Sequence, residues 1–352
     1  MPVLRRLSYR QVYVLLALLL AAAMVASASI GAFVFSPSQM ALFAGEAIGL
    51  LPKRLDDALD RNVFLLLRLP RVLLCAFTGA TLGVSGAIMQ GLFRNPIVEP
   101  GLAGTSAGAA LGASIVFVFG STAALSPLGT AGVPILAFAC SFAATMLVYR
   151  LSTRFGRTDV FTLLLAGIAL NAMCGAGTGF LSYIARDPQA RNITFWNLGT
   201  FTTADWRGAL LVGAAFAVCF LPALRHGKNL NALMLGEDDA AYTGVNPEQL
   251  ILRLIVINTV MVSVATAMVG VIAFIGLVIP HLLRLTRSAD YTFLLPASAL
   301  LGALAMEVVD VVARLVIQPA ELPIGIITAL LGAPFFLSIL IRQRRAASGF
   351  YG

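Results

Sequence analysis

Arg68 and Arg71 stand three residues apart at the head of a long apolar run, in the motif RLPR (68–71). Residues three apart share a helical face, and a planar guanidinium takes a carboxylate through paired, directional hydrogen bonds. Arginine at a bilayer edge also has a plainer fate, pairing with a lipid headgroup or a neighbouring carboxylate. Arg314 closes another apolar run, and Asp310 lies four residues before it, so the two can pair along one helix face. Glu307 is on the same run. Acids inside apolar runs are where a proton relay would be sought; an internal charge pair near the outer surface is the reading favoured here.

Other chemistry is sparse. No G-x-x-x-x-G-K-[ST] loop occurs; the one Gly-Lys, Gly227-Lys228, is followed by Asn229. The chain therefore does not hydrolyse nucleotide in that way. Cys75, Cys140, Cys174 and Cys219 are widely spaced inside apolar runs and read as small core residues. His281 tempts a haem-ligand reading, and His226 lies in a polar loop beside Lys228. No His or Met pair has metal-ligand spacing, so no resident cofactor is expected.

The elements that must position these residues are membrane helices. Of 352 residues, 59% are hydrophobic and 11% charged, and mean hydropathy is +0.92; soluble domains carry roughly 25% charge. The apolar runs are too long and continuous for alternating barrel strands, so the fold class is all-α, an integral membrane protein. Ten spans are predicted, at about 12–35, 63–91, 101–119, 130–150, 159–184, 206–224, 249–269, 273–287, 291–316 and 321–342. The eighth is short and contains Pro280, which predicts a half-length or broken helix. Arg5, Arg6 and Arg10 before an apolar run and Ala26-Ser27-Ala28 mimic a signal peptide; a retained first helix is favoured, with processing left open.

The net charge of +8 does not imply nucleic acid, because no basic run is interleaved with aromatics. Basic residues of membrane proteins gather on the cytoplasmic side. With both termini inside, Arg5, Arg6, Arg10, Arg94, Arg150, Arg154, Arg157 and Arg253 fall inside, and Lys53, Arg54, Arg61, Arg68, Arg71 and Arg314 are among the outside exceptions. A faint inverted repeat links Leu164-Leu165-Ala166-Gly167-Ile168 to Leu322-Pro323-Ile324-Gly325-Ile326, on spans that run in opposite directions.

Residues 229–250 form the longest inside segment. Asn229 and Asn231 can cap a short helix, and Gly236 breaks it. Glu237, Asp238 and Asp239 suit the first turn of a second helix, and Gly244 can end that helix in left-handed geometry. A docking surface and an ordinary structured loop fit these residues equally.

Residues 36–345 resemble the FecCD permease family, the membrane subunits of ABC importers for cobalamin, haem and ferric siderophores. The likeness rests on RLPR (68–71), RNPIVEPG (94–101), LNALMLGEDDAAYTGV (230–245), FIGLVIPHLLR (274–284) and AELPIGIITALLGAPFF (320–336). It implies one transmembrane permease domain over 1–352, in the inverted-repeat type II importer architecture, with 229–250 as its cytoplasmic coupling loop. Leu233, Leu235, Gly236, Glu237, Ala240 and Gly244 would then fit a cleft on an ATPase subunit. Arg68, Arg71 and Arg314 would hold glutamates of a periplasmic substrate-binding protein. Spans five and ten would line the path of a homodimer, with Asn171 and Thr178 on one face of span five.

The resemblance further implies an inner-membrane, multi-pass location, two ATP-binding cassette subunits that use the ATP, and a permease that is not itself an enzyme. A motif shared by importers of three cargoes argues against His281 as a haem ligand, and Asn95-Pro96 and Glu99-Pro100 read as structural turn residues. NITFWNLGTF (192–201) is most similar to haem permeases; ferric siderophore and cobalamin are the alternatives. An ion-coupled secondary transporter and a passive channel are the different-class alternatives.

Overall fold

The computed structural model describes residues 7–31, 33–52, 58–122, 125–154 and 157–348. Arg5, Arg6, Lys53 and Arg54, used above to orient the chain, lie outside the described residues. Every predicted span corresponds to a helix. Among the described residues seven helices are long and apolar enough to cross a membrane, and three shorter apolar helices accompany them.

Helix α1 (Tyr9–Ser29) opens with a reciprocal cap. Ser8 Oγ accepts from Gln11 N at 3.3 Å and Ser8 N donates to Gln11 Oε1 at 2.7 Å, which satisfies two orphan backbone donors. The first span, expected to reach about Phe35, ends at Ser29 because Ile30 is extended and Ser36 caps a new helix, α2 (Pro37–Ala47), with proline at its start. Phe35 instead packs edge-on to Phe43 and Phe64, with ring centroids 6.2 and 5.9 Å apart.

The second span is continuous from α3 (Ala58–Val63) through a π-turn at Phe64–Arg68 into α4 (Leu69–Leu92). Helix α4 is the central post. It packs along α14 (Tyr291–Leu315), where a Cβ on Gly79 would fall 2.3 Å from Gly302 O and one on Gly302 would fall 2.3 Å from Gly79 O. No larger residue allows that approach, and between membrane helices close backbone packing replaces the hydrophobic drive.

Helices α9 (Trp206–Arg225) and α12 (Pro247–Val269) pack on this post, and α5 (Thr105–Phe119), α6 (Gly132–Ser152) and α7 (Val160–Ile184) pack on one another, with α5 and α6 against α12. A hairpin pairs β1 (Thr153–Arg154) with β2 (Arg157–Thr158), and α8 (Gln189–Asn197) is a short helix after α7. Neither α2 nor α8 is foreseen by the span pattern. Helix α13 (Ile275–Thr286) is short, as expected, and is followed by α14 and α15 (Ile324–Ser348). The break is not at Pro280, which sits inside α13; it is the irregular stretch before Ile275, where Phe274 is left-handed at φ 68.

The inverted repeat has a physical counterpart. Helices α5 and α13 are both short, and both start from a left-handed residue, Gly104 at φ 90 and Phe274 at φ 68. The two repeat glycines also do the same job. A Cβ on Gly167 would meet Leu102 O at 2.1 Å, and one on Gly325 would meet Leu198 O at 2.4 Å.

Candidate functional site

Three regions hold the candidate residues, and α14 joins two of them. At about 1.5 Å per residue its 25 residues extend about 37 Å, enough to connect the two faces of a bilayer.

At the C-terminal end of α14, Arg71 in the first turn of α4 reaches two carboxylates. Its Nε and Nη2 donate to Asp310 Oδ1 at 3.2 and 2.8 Å. Its Nη1 and Nη2 donate to Glu321 Oε1 and Oε2, each at 2.9 Å. Asp310 Oδ2 lies 3.0 Å from Arg314 Nε, so the i, i+4 pair expected from sequence is present. Arg314 donates further to Ile30 O at 2.8 Å and to Ser27 O and Oγ at 3.1 and 2.8 Å. Arg68 also donates to Ile30 O, at 2.9 Å. The three arginines are therefore brought together as anticipated, but unequally. Arg314 is 6% exposed and gives its donors to partners within the chain, whereas Arg68 and Arg71 are half-buried; all three border a cavity of about 440 Å³ shared with Glu321 and Thr202.

Glu321 is not singled out by the sequence patterns above. The available signal is an acid just before the Leu-Pro-Ile-Gly stretch, on the same predicted side as Arg314. Burial works to raise its carboxyl, but the hydrogen bonds and charge of Arg71 and the hydroxyl of Thr202 outweigh this and hold it below the usual carboxylate range. Glu321 is therefore ionised at neutral pH.

At the N-terminal end of α14, α10 (Gly227–Leu235) and α11 (Glu237–Tyr242) are the two short helices expected. Gly236 separates them at φ 142, and Gly244 follows α11 at φ 85. The capping expectation needs correction. Helix α10 starts at Gly227 with no side-chain cap, so Asn229 and Asn231 lie inside it. Asn231 Nδ2 donates to Asp290 Oδ1 at 2.7 Å, and its Oδ1 accepts from Tyr291 N at 2.9 Å. Asn231 thus clamps α10 to the start of α14. Burial pushes Asp290 upward, and its bonds from Asn231 and Thr292 overcome this and lower it.

The six candidate coupling residues divide by exposure. Leu233 and Ala240 are buried anchors, whereas Leu235 and Gly244 are exposed, as is Tyr242. Glu237 is partly exposed and pairs with Arg94 at 3.0 Å, and Gly236 forms the break. His226 ends α9 beside Asn229 rather than standing free in solvent; burial and Arg253 lower its pKa.

The third region is on α7. Asn171 and Thr178 line one cavity with Glu99, Ser106 and Asn197. Asn171 Nδ2 donates to Gly101 O at 3.1 Å, while its Oδ1 and the Thr178 hydroxyl have no hydrogen-bond partner among the described residues. Asn171 lies halfway along α7, so the irregular segment at 99–104 sits at that depth. Non-helical backbone there is tolerated only where protein buries it or it lines a cavity. Glu99, read from sequence as structural, has a positional role: its Oε2 accepts from Phe274 N at 3.4 Å, joining the irregular starts of α5 and α13. His281 faces Phe335 edge-on, 6.1 Å between rings.

The FecCD transport family model matches residues 18–342. The chain is 43% identical over 289 residues to the hemin transport system permease protein HmuU of Yersinia pestis, covering 82% of this chain and 86% of that one. It is 41% identical over 283 residues to the vitamin B12 import system permease protein BtuC of Salmonella typhi, covering 79% and 83%. A solved ABC transporter assigned to the metal-chelate type, in an inward-facing conformation, superposes with a TM-score of 0.82 at 32% identity, over 95% of this chain and 99% of that one. With the broken helices, the two-helix loop and the arginine cluster in place, the chain belongs to the FecCD transport family of multi-pass membrane permeases.

Proposed function

We propose that the chain is the permease subunit of an inner-membrane ABC importer that carries haem. The observation that supports it best is that α14 joins the inner loop, through Asn231 and Asp290, to the outer arginines, through Asp310 and Arg314. A permease driven from one side and loaded from the other needs such a rod. Haem is preferred because the similar protein from Yersinia pestis bears that cargo in its name; cobalamin and ferric siderophores are the alternatives.

Two copies form the path, facing each other across α7 and α15, with Asn171 and Thr178 on its wall. Two ATP-binding cassette subunits seat on α10 and α11, where Leu235, Gly244 and Tyr242 are presented. They use the ATP, and this chain holds no resident cofactor. A periplasmic substrate-binding protein docks on Arg68 and Arg71 through acidic side chains, with Arg314 behind them fixing Asp310. Both termini are cytoplasmic. ATP-driven movement of α10 is passed to α14 by the Asn231 clamp, which shifts the helices around the path and alternates access.

Reconstitution in vesicles with the ATPase and binding protein tests this. Haem uptake should require ATP and both partners and should exceed cobalamin or ferric siderophore uptake. Accumulation by this chain alone, driven by an ion gradient, would overturn the reading, and preference for another cargo would overturn haem.

A further inference from the structure

We infer that Glu321 occupies, from within the chain, the fork of Arg71 that a docking protein's carboxylate takes, so that docking is an exchange of carboxylates. The inference rests on the docking reading above and adds a competitor to it.

Donor capacity comes first. A guanidinium has five N–H groups. On Arg71, Asp310 takes Nε and one Nη2 hydrogen, and Glu321 takes the other Nη2 hydrogen and one on Nη1. One N–H is left, which cannot bind a third carboxylate in the paired geometry that gives such contacts their strength and direction. An incoming acid must displace one of the two already there.

The two are not equally replaceable. The Asp310 side chain is fully buried and lies between Arg71 and Arg314. Releasing it would strand a charge away from water. The Glu321 side chain is 31% exposed, borders the outer cavity with Arg71, and belongs to the connection between α14 and α15 rather than to either helix. Among the described residues its one other hydrogen-bond partner is the Thr202 hydroxyl at 3.2 Å. Glu321 can turn into water without leaving a buried charge.

Charge favours an exchange over simple expulsion. Among the described residues Arg68 makes no ion pair, and it borders the same cavity. An acid arriving between Arg68 and Arg71 meets two guanidiniums where Glu321 pairs with one. The exchange also reaches inward. Leu322 N donates to Ala313 O at 3.1 Å and Ile324 N to Gly199 O at 3.0 Å, so the residues directly after Glu321 are tied to α14 and to the turn after α8 at the start of α15. Occupancy of the Arg71 fork is thereby reported to a helix proposed to line the path.

The test uses the full chain in nanodiscs with its ATPase, titrated with the importer's own substrate-binding protein, together with a nitroxide label at Gln318. A self-occupied site lowers apparent affinity by the fraction of time it is open, so E321Q should tighten docking about tenfold if the fork is closed about nine-tenths of the time. E321D should return affinity toward wild type, and E321Q should raise label mobility without partner. R68Q, which breaks no ion pair among the described residues, should weaken docking. E321Q docking that is unchanged or weaker while R68Q still weakens it overturns the exchange and leaves the docking surface standing. Docking indifferent to both R68Q and R71Q, in protein that elutes as a folded species, overturns the surface itself.

Discussion

Helices α4 and α7 have nearly the same ingredients and opposite surroundings. Both are long, apolar and rich in glycine and alanine. Yet 89% of the apolar window on the α3–α4 span is buried within the chain, against 17% for α7. On α4 the glycines are spaces filled by another backbone, as at Gly79 against Gly302. On α7 Gly175 and Gly179 face nothing within 4 Å, and Met173, Phe180 and Tyr183 are exposed beside them. Small residues in a membrane helix therefore carry two messages, close packing inside the subunit or a low surface kept for lipid, a second copy or a passage. Sequence alone does not separate the two, because both need a small side chain.

The largest expected effect breaks that comparison directly. Gly79→Val puts branched carbon into the Gly302 carbonyl, so the α4–α14 seam itself must part; the cost then lies beyond the usual overpacking range of about 1–3 kcal/mol, and loss of the fold is expected. Gly175→Val enters open space, and valine is no worse a helix former than glycine, so no loss of stability is expected there. Size-exclusion profiles after a heating series should show Gly79→Val lost first, with Gly175→Val close to wild type in stability. Equal damage at both positions would mean that α7 is packed in a way the single chain does not display.

The next effect separates the buried and open halves of the ion network around Arg71. Asp310→Ala leaves Arg71 and Arg314 without their shared buried counter-charge, and removing one partner of a buried pair costs about 3–5 kcal/mol. Glu321→Ala removes a half-exposed partner, worth about 1 kcal/mol or less. Thermal unfolding in one detergent should rank them in that order. The Glu321 bond has a definite pH sense. Its carboxyl is lowered by Arg71, so its contribution is complete above about pH 4.3, the ordinary glutamate value, and is lost only as pH falls through the lower folded value. Between about pH 6 and 8 it should not change.

The same contrast explains what could be read in advance. Ten spans are legible because length and hydropathy are local properties, and the Asp310–Arg314 pair because i, i+4 spacing is local. Gly236 and Gly244 are placed correctly for the same reason. Glu321 on Arg71 and Asn231 on Asp290 are not legible, since they join residues 250 and 59 positions apart. Asparagine as a cap is a sound local rule, overridden at Asn231 by a tertiary partner at the start of α14. Glu99 is hidden by its neighbours: prolines on either side of Ile97, Val98 and Glu99 suggest a turn, and only the fold brings it to Phe274.

Asn231 offers the next, more modest effect. Asn231→Ala removes two hydrogen bonds and leaves Asp290 with its Thr292 partners. At about 1 kcal/mol per bond the fold should persist, while ATP-driven uptake falls more than ATP hydrolysis does, because the loop has lost its grip on α14. Uptake and hydrolysis falling together would place the transmission elsewhere, for instance through Arg94 and Glu237.

The smallest effects on the membrane helices lie in the loop, where packing is silent and only backbone conformation speaks. Gly244 has φ 85, and a methyl added there would meet nothing within 4 Å, so Gly244→Ala meets only the left-handed penalty, about 1–2 kcal/mol. Gly244→Asn should cost less, because asparagine visits that region more readily. Gly236 has φ 142 and ψ 159, in territory that is essentially restricted to glycine, so Gly236→Ala should cost about 1–3 kcal/mol despite its open surroundings. The order Gly236→Ala, Gly244→Ala, Gly244→Asn, read as ATPase affinity with the membrane helices equally stable, isolates loop geometry from packing. If Gly244→Asn proved as harmful as Gly236→Ala, the exposed surface at Gly244 would be in direct contact with the motor, and bulk rather than backbone would decide the fit.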